Sequence, residues 1–349
     1  MRHMSSGPKS LAGIKRKALT VSQSQFVKEG FLRDDEQLPL VITPQIEGID
    51  LSTWITDQAD WLKANLRRYG GVLFRGFPLF NLEDFNLFIK NTSVEIMDYH
   101  EGASPRTRLR ENIYTSTDYP AEYRILLHNE LSYRHVFPQQ IFFFCLTPAL
   151  EHGETPIADV RKVLEYISPK TREMFIQKGW KLVRNLGSGF GLAWQDVYHT
   201  DNKAEVETYC RQHGISFEWK EGDRLRTSHI RPSIARHPQT GEIVWFNHAA
   251  FFHVSSLEPG VRKALTAEFS EQDLPTNTYY GDGSSIEPEV LDELRAAYNR
   301  ATVTFPWQQG DLLMLDNILA AHGRAAFTGK RKILVGMSNP CSWDQTEVK

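Results

Sequence analysis

The chain is expected to fold as a mainly-β barrel or sandwich with helices flanking and interrupting its strands, and three observations predict it. Short runs rich in Val, Ile, Leu and Phe recur between Gly, Pro and Asn turns without alternating regularly with helices. A His-x-Glu pair, His128-Asn129-Glu130, ends one such run, and a barrel can bring a distant histidine to it because residues from both ends of the chain line one interior. At 349 residues the length allows two domains, yet all-β units often reach this size as one. The expectation is a single domain over residues 26–349 behind a disordered tail over 1–25.

In chain order, Asp57 to Tyr69 carries Trp61, Leu62 and Leu66 at helical spacing. The Gly-bounded apolar run Gly70 to Phe77 then reads as a strand, and Asn81 to Lys90 as a second amphipathic helix. Residues 98–120 are polar and irregular. Strands are expected over 123–130, 140–146, 155–159, 179–186, 243–247, 302–305, 311–316 and 331–338. Helices are expected over Arg161 to Ile167, Pro169 to Lys178, Lys203 to His213, Pro259 to Ser270 and Glu287 to Arg300. The Gly-rich stretch Asn185 to Trp194 reads as a loop, with a mobile lid over a substrate as the rival reading.

Composition narrows the function. A formal net charge of -3 gives no electrostatic case for nucleic acid or an anionic membrane. The longest apolar run, Ile141 to Leu146, is far short of the roughly 20 residues that span a bilayer. Cys145, Cys210 and Cys341 lie far apart and form no CxxC pair, which favours a reduced, cytoplasmic setting. Met1 to about Thr20 is basic and Ser-containing but has no apolar core, against a secretory signal. A small-molecule substrate is expected.

Two imidazoles and one carboxylate on one face of a metal are the ligand set of non-heme Fe(II) oxygenases, which leaves coordination positions open. If His128 to Glu130 is a strand, both side chains share a face. Glu130 follows Ile125-Leu126-Leu127, where a buried carboxylate needs a partner; a metal supplies one, and a hydrogen-bonded core histidine is the alternative. The third ligand would come from a late strand, with His322 the candidate and His248 and His253 its competitors, read as packing among aromatics. His199-Thr200-Asp201 is a second His-x-carboxylate, but its spacing before Lys203 is that of a helix cap through Asp201. Farther on, Arg331 alternates with Ile333, Val335 and Met337. An arginine on an apolar face needs an anion, and a dicarboxylate cosubstrate would pair with it; an Arg reaching water or an internal Glu is the alternative.

Taken together, Tyr69 to Phe77, the His128 segment, Gly153 to Asp159, Val244 to Asn247, Asp316-Asn317, His322-Gly323-Arg324 and the Arg331 strand resemble the taurine dioxygenase/clavaminate synthase (TauD/TfdA-like) superfamily of Fe(II)/2-oxoglutarate-dependent oxygenases. The syringomycin-type amino-acid hydroxylase branch is the most similar. The resemblance spans about Leu51 to Met337. It implies a double-stranded β-helix (jelly-roll) core, iron held by His128, Glu130 and His322, and 2-oxoglutarate held by Arg331 and Thr155, with O2 as the other cosubstrate. It further implies hydroxylation of an unactivated C–H bond in an amino acid or a derived small molecule of specialised metabolism, free or tethered to a carrier protein. Desaturation or oxidative cyclisation would use the same iron site. Glu130 argues against halogenation, which in this superfamily uses a small residue there. In taurine-type members an arginine four residues beyond the cosubstrate arginine grips the substrate acid; here that position is Val335. Arg324 and Arg231 are possible substitutes, a structural role being the alternative for each, and Lys332 competes with Arg331 for register. Rival functions are a non-catalytic jelly-roll binding protein with a vestigial metal site, and a zinc hydrolase on the same three ligands.

Overall fold

A computed structural model describes residues 26–98, 106–110, 112–116, 119–187, 189 and 191–348. The proposed tail over 1–25 lies outside the described residues, as do 99–105, 111, 117 and 118 of the stretch expected to be irregular over 98–120, which instead carries the short strands Arg108–Arg110 and Ile113–Thr115.

The architecture is β-rich. An eight-stranded sheet runs in the order Val27–Arg33, Glu36–Pro44, Gly71–Phe74, Leu312–Asp316, Val136–Thr147, Lys332–Ser342, Ile113–Thr115, Arg108–Arg110. All its pairs are antiparallel except Glu36–Pro44 with Gly71–Phe74. A four-stranded sheet, Thr302–Val303, Ile157–Asp159, Ala320–Arg324 and Ile125–His128, faces it.

Strand alternation divides the large sheet into two apolar faces. Leu313, Leu315, Ile141, Phe143, Ile333, Val335 and Met337 point inward and pack with Ile157, Ala158, Ala320 and Ala321 of the smaller sheet. Their neighbours Leu312, Met314, Phe142, Phe144 and Leu334 point the other way, onto Leu51–Thr56, Ala59–Tyr69 and Leu82–Thr92. These central strands are apolar throughout because both faces are covered. Helix starts follow local chemistry: Asn81 makes a reciprocal capping box with Asp84, and Asp159 caps Val160–Tyr166 at the end of a strand. A third sheet, Ser216–Lys220, Arg224–Arg231, Trp180–Leu186 and Thr276–Tyr280, packs Leu186 and Leu225 against Trp194, Val197, Val206 and Cys210.

Arg75 and Asp311 tie together the ends of two neighbouring strands of the large sheet, Gly71–Phe74 and Leu312–Asp316. The guanidinium donates through Nε and Nη2 to the two Asp311 oxygens at 3.0 and 2.7 Å, and Asp311 is fully buried. Among the described residues no helix is long and apolar enough to cross a membrane.

Candidate metal centre

His128 closes the strand Ile125–His128 and lies directly opposite His322 of Ala320–Arg324. Residues opposite each other across an antiparallel pair share a face, so the two imidazole centroids stand 4.5 Å apart. Gly323 makes this possible: a Cβ there would meet Ile125 O at 2.6 Å and wedge the two strands apart.

The strand expected through Glu130 instead stops at His128. Glu130 begins a turn, and Leu131 after it takes φ +56°. Asn317 is the reason. Glu130 N donates to Asn317 Oδ1 at 2.6 Å, while Asn317 Nδ2 donates to Glu130 O at 2.9 Å and Pro138 O at 2.8 Å. Asn129 Nδ2 donates in turn to Asn317 O at 2.7 Å. A buried side chain thus takes the place of a neighbouring strand and satisfies the backbone where the ladder ends. Glu130 nevertheless reaches the imidazoles: Oε2 lies 3.4 Å from His322 Nε2, and one ligand atom from each of the three residues falls within 4.8 Å of the others. Among the described residues this is the one group of His, Cys, Asp or Glu able to enclose a metal.

The donors suit a divalent ion. His128 Nδ1 lies 2.8 Å from Leu126 O; a carbonyl only accepts, so Nδ1 carries the proton and the Nε2 lone pair faces the site. Burial, reinforced by the charge of His322, lowers the His128 pKa to about 3 and keeps the ring neutral, as a ligand must be. For Glu130 burial opposes ionisation, but Arg106 foremost, then His322 and His128, hold the carboxyl below its usual range. Arg106 Nη2 donates to Glu130 Oε2 at 2.8 Å, with both side chains almost fully buried.

Arg331 sits just before Lys332–Ser342 and points inward with Ile333, Val335 and Met337, while Lys332 is exposed. It donates to three neutral oxygens: Gly153 O at 2.8 Å, Ser116 Oγ at 3.0 Å and Thr155 Oγ1 at 3.3 Å. Trp307 Nε1 also donates to Thr155 Oγ1, at 3.1 Å. Burial and the charge of Arg324 lower the Arg331 pKa to about 10. A desolvated guanidinium held by neutral groups suits an added dicarboxylate. Thr155 is tied to the histidine strand on both sides, since Gly323 N donates to Pro156 O and Ala325 N to Glu154 O.

Other candidates fall elsewhere. His248 is buried on the cavity wall, sharing a 2.6 Å hydrogen bond with Ser132 Oγ and stacking on Phe252. His253 Nδ1 accepts from Ser255 N in a short 3-10 turn. His199 is exposed, and Asn202, not Asp201, caps Lys203–Gln212 through Ala204 N; the amide two residues before Ala204 has the reach that Asp201 lacks. Arg324 donates to the carbonyls of Tyr119, Pro120 and Tyr123, and Arg231 to those of Tyr133, Ile230 and His213. Both are structural anchors. Val335 is buried, as its place among inward apolar residues requires. The sequence does not single out Arg106, Ser116 or Trp307, and it offers Asn317 only within the resembling Asp316-Asn317 segment with no role, because each acts on a partner remote along the chain. In the Gly-rich stretch, Gly189 and Gly191 have positive φ, Gly191 lines the cavity, and Trp194 is buried.

A cavity of about 450 Å³ opens on His128 and Glu130, walled by Tyr119, Tyr133, Phe251 and Leu257. A second basin of about 450 Å³ adjoins it through Arg124, Leu126, Phe251 and Ser256.

Comparison with known proteins places the chain in a family. The family described as "Taurine catabolism dioxygenase TauD, TfdA family" matches residues 34–338. The dapdiamide synthesis protein DdaC of Enterobacter agglomerans is 41% identical over 275 residues, 79% of this chain and 84% of its own. A clavaminate synthase-like protein of Arabidopsis thaliana is 28% identical over 325 residues, 87% of this chain and 94% of its own. Among solved structures, PvcB of Pseudomonas aeruginosa superposes with a TM-score of 0.55 at 17% identity, covering 91% of this chain and 93% of that one. A second structure of PvcB, titled an Fe, alpha-ketoglutarate dependent oxygenase from an isonitrile synthetic pathway, gives 0.53 at 18% identity, covering 91% of this chain and 92% of that one.

Proposed function

The chain belongs to the TauD/TfdA family and is an Fe(II)- and 2-oxoglutarate-dependent oxygenase, and from that premise we propose that His128, Glu130 and His322 hold the iron while Arg331 and Thr155 hold the distal carboxylate of 2-oxoglutarate. The observation that carries this reading is the convergence of two neutral-capable imidazoles and an ionised carboxylate within 4.8 Å, on the strand system that also carries Thr155. Iron with 2-oxoglutarate and O2 supplies an oxidant able to break an aliphatic C–H bond, with succinate and CO2 released. The protein's own part is positioning. Leu126 O fixes the His128 tautomer, Asn317 aims Glu130, and Arg331 fixes the cosubstrate by a charge-assisted pair that Thr155 completes with a hydroxyl. The aromatic walls keep water from the reacting bond.

The substrate on this reading is an amino acid or an amino-acid-derived small molecule of specialised metabolism, and hydroxylation is the default outcome. The relative named for dapdiamide synthesis supports a biosynthetic role. The two adjoining basins offer more length than one amino acid fills, which supports a substrate presented on a carrier protein. The double-stranded β-helix is the reading of the two facing sheets, within one domain over 26–349, and three buried cysteines with no disulfide among them suit the cytoplasm. The test is turnover with Fe(II), O2, 2-oxoglutarate and an amino-acid library, each member free and carrier-loaded. Succinate formed together with a product one oxygen heavier supports the reading. Zinc-supported turnover that ignores 2-oxoglutarate contradicts it.

A further inference from the structure

We propose that the second basin is a phosphate-binding subsite, built by Tyr298, Arg262 and Arg124, that holds a phosphate ester carried by the substrate or by the arm that presents it. This deepens the oxygenase reading, on which the link between that phosphate and the reacting group rests. Tyr298 is the deciding residue. It lies on Pro288–Ala301 with its ring in the core and is 8% exposed, yet it lines the basin. Its hydroxyl has no hydrogen-bond partner among the described residues, and burial alone raises its pKa. A buried phenol that stays protonated with nothing to donate to calls for an acceptor.

Two cations share the wall. Arg124 and Arg262 line the same basin, and neither guanidinium has a hydrogen-bond or ion-pair partner among the described residues. Both are exposed, so neither needs an internal counter-ion to stay charged. Arg295, by contrast, is committed to Asp292 and to the hydroxyls of Ser255 and Ser256. Glu258 also lines the basin, where Pro259–Glu268 begins with no side chain capping its first turn; uncapped amides there favour an anion. The donors come from a strand end and two helices around one basin of about 450 Å³. That spread suits a tetrahedral phosphate with several acceptor oxygens better than a flat carboxylate, which one guanidinium fork already matches.

Strand geometry ties this basin to the metal. Arg124 directly precedes Ile125–His128, and alternation puts it on the face of Leu126 and His128. Arg124 and Leu126 line both cavities. Four residues at the strand rise put Arg124 about 13 Å from His128 along the backbone. An amino acid's own carboxylate lies closer than that to its side-chain carbons, so the phosphate belongs to a remote part of the ligand.

The test is calorimetric titration of the full-length, metal-free protein in phosphate-free buffer. The probes are 4′-phosphopantetheine, O-phospho-L-serine, their unphosphorylated counterparts and succinate. Wild type is expected to bind a phosphorylated probe roughly 10–100-fold more tightly than its counterpart, the worth of a charge-assisted pair. A preference confined to phosphopantetheine assigns the phosphate to a presenting arm; one that phosphoserine shares assigns it to free phosphorylated ligands as well. Tyr298→Phe keeps the ring and removes the unpartnered donor, and Arg262→Gln removes an exposed charge. Each is expected to cut the preference about tenfold, with Fe(II) uptake retained as the sign of a folded protein. No preference in wild type, succinate bound as tightly as the phosphorylated probes, or a preference that neither substitution moves overturns the inference. A wild type that shows the preference but takes up no Fe(II) overturns the metal reading and leaves the phosphate site standing.

Discussion

The two sides of the candidate site are built by different means. On the metal side, His128 and His322 are opposed by strand register, and Glu130 is held by the side chain of Asn317, which bonds to the backbone of Glu130 and of Pro138. On the cavity side, Arg106 and Tyr119 come from connecting segments, and Arg324 anchors the second by donating to three carbonyls. Register fixes positions within the sheet's own tolerance, whereas a connection is fixed only where a particular side chain reaches it. On the proposed assignment, the metal side carries the chemistry shared across the family, and the cavity side is where a substrate would be chosen.

The largest effect should come from the metal side. His322→Ala removes one of three protein ligands and is expected to abolish stoichiometric Fe(II) uptake while leaving the far-ultraviolet circular dichroism intact, as metal analysis after anaerobic loading will read. Asp311→Asn should separate scaffold from site. Breaking its buried pair with Arg75 costs about 3–5 kcal/mol of stability, seen in urea unfolding, yet the folded fraction should still load iron. Arg331→Ala should weaken 2-oxoglutarate binding by about one to two decades through loss of a charge-assisted pair, with Fe(II) affinity little changed. Asn317→Ala leaves the ligand set whole but releases Glu130, and is expected to weaken metal affinity by about 10–100-fold, the usual cost of losing an outer-shell partner. If it binds metal as wild type does, the contrast between a pinned metal side and a loosely held cavity side fails.

The smallest effect is a pH dependence remote from the metal. Burial, aided by Arg231 and Arg184, lowers the His229 pKa to about 3. The folded value lies below the unfolded one near 6.5, so the unfolded chain takes up a proton that the folded chain refuses. Stability falls as pH drops below about 6.5 and continues to fall toward about 3. Between pH 7 and pH 5 this residue alone accounts for about 2 kcal/mol, and His229→Asn should flatten the slope of unfolding free energy against pH.

Legibility in the sequence followed the same division. The central strands were readable because they are apolar runs bounded by Gly and Asn, as at Gly71–Phe74 and Leu312–Asp316. The helices Pro169–Lys178 and Pro288–Ala301 announce themselves with Pro at the first turn. The hairpin Val27–Arg33 with Glu36–Pro44 was missed, since an edge strand carries charge on its open face and hides the alternation. Arg224–Arg231 was missed for a similar reason, its inward positions being Leu225, Thr227 and His229 rather than a run of aliphatics. Residue type and spacing pick out His128, Glu130, His322 and Arg331 only as candidates beside rivals such as His248 and His253, and the family resemblance is what joins them into one set. The turn at Glu130 could not be read, because its cause is Asn317, which is distant along the chain and carries no local periodic signal.

The central claim is most directly tested by locating the metal. Crystals grown anaerobically with Fe(II) and 2-oxoglutarate should give one strong anomalous peak at the iron edge, bonded to His128, Glu130 and His322, with the cosubstrate running from it to Arg331. An iron peak bound elsewhere, or none with the trio intact and the crystals loaded, would contradict the account.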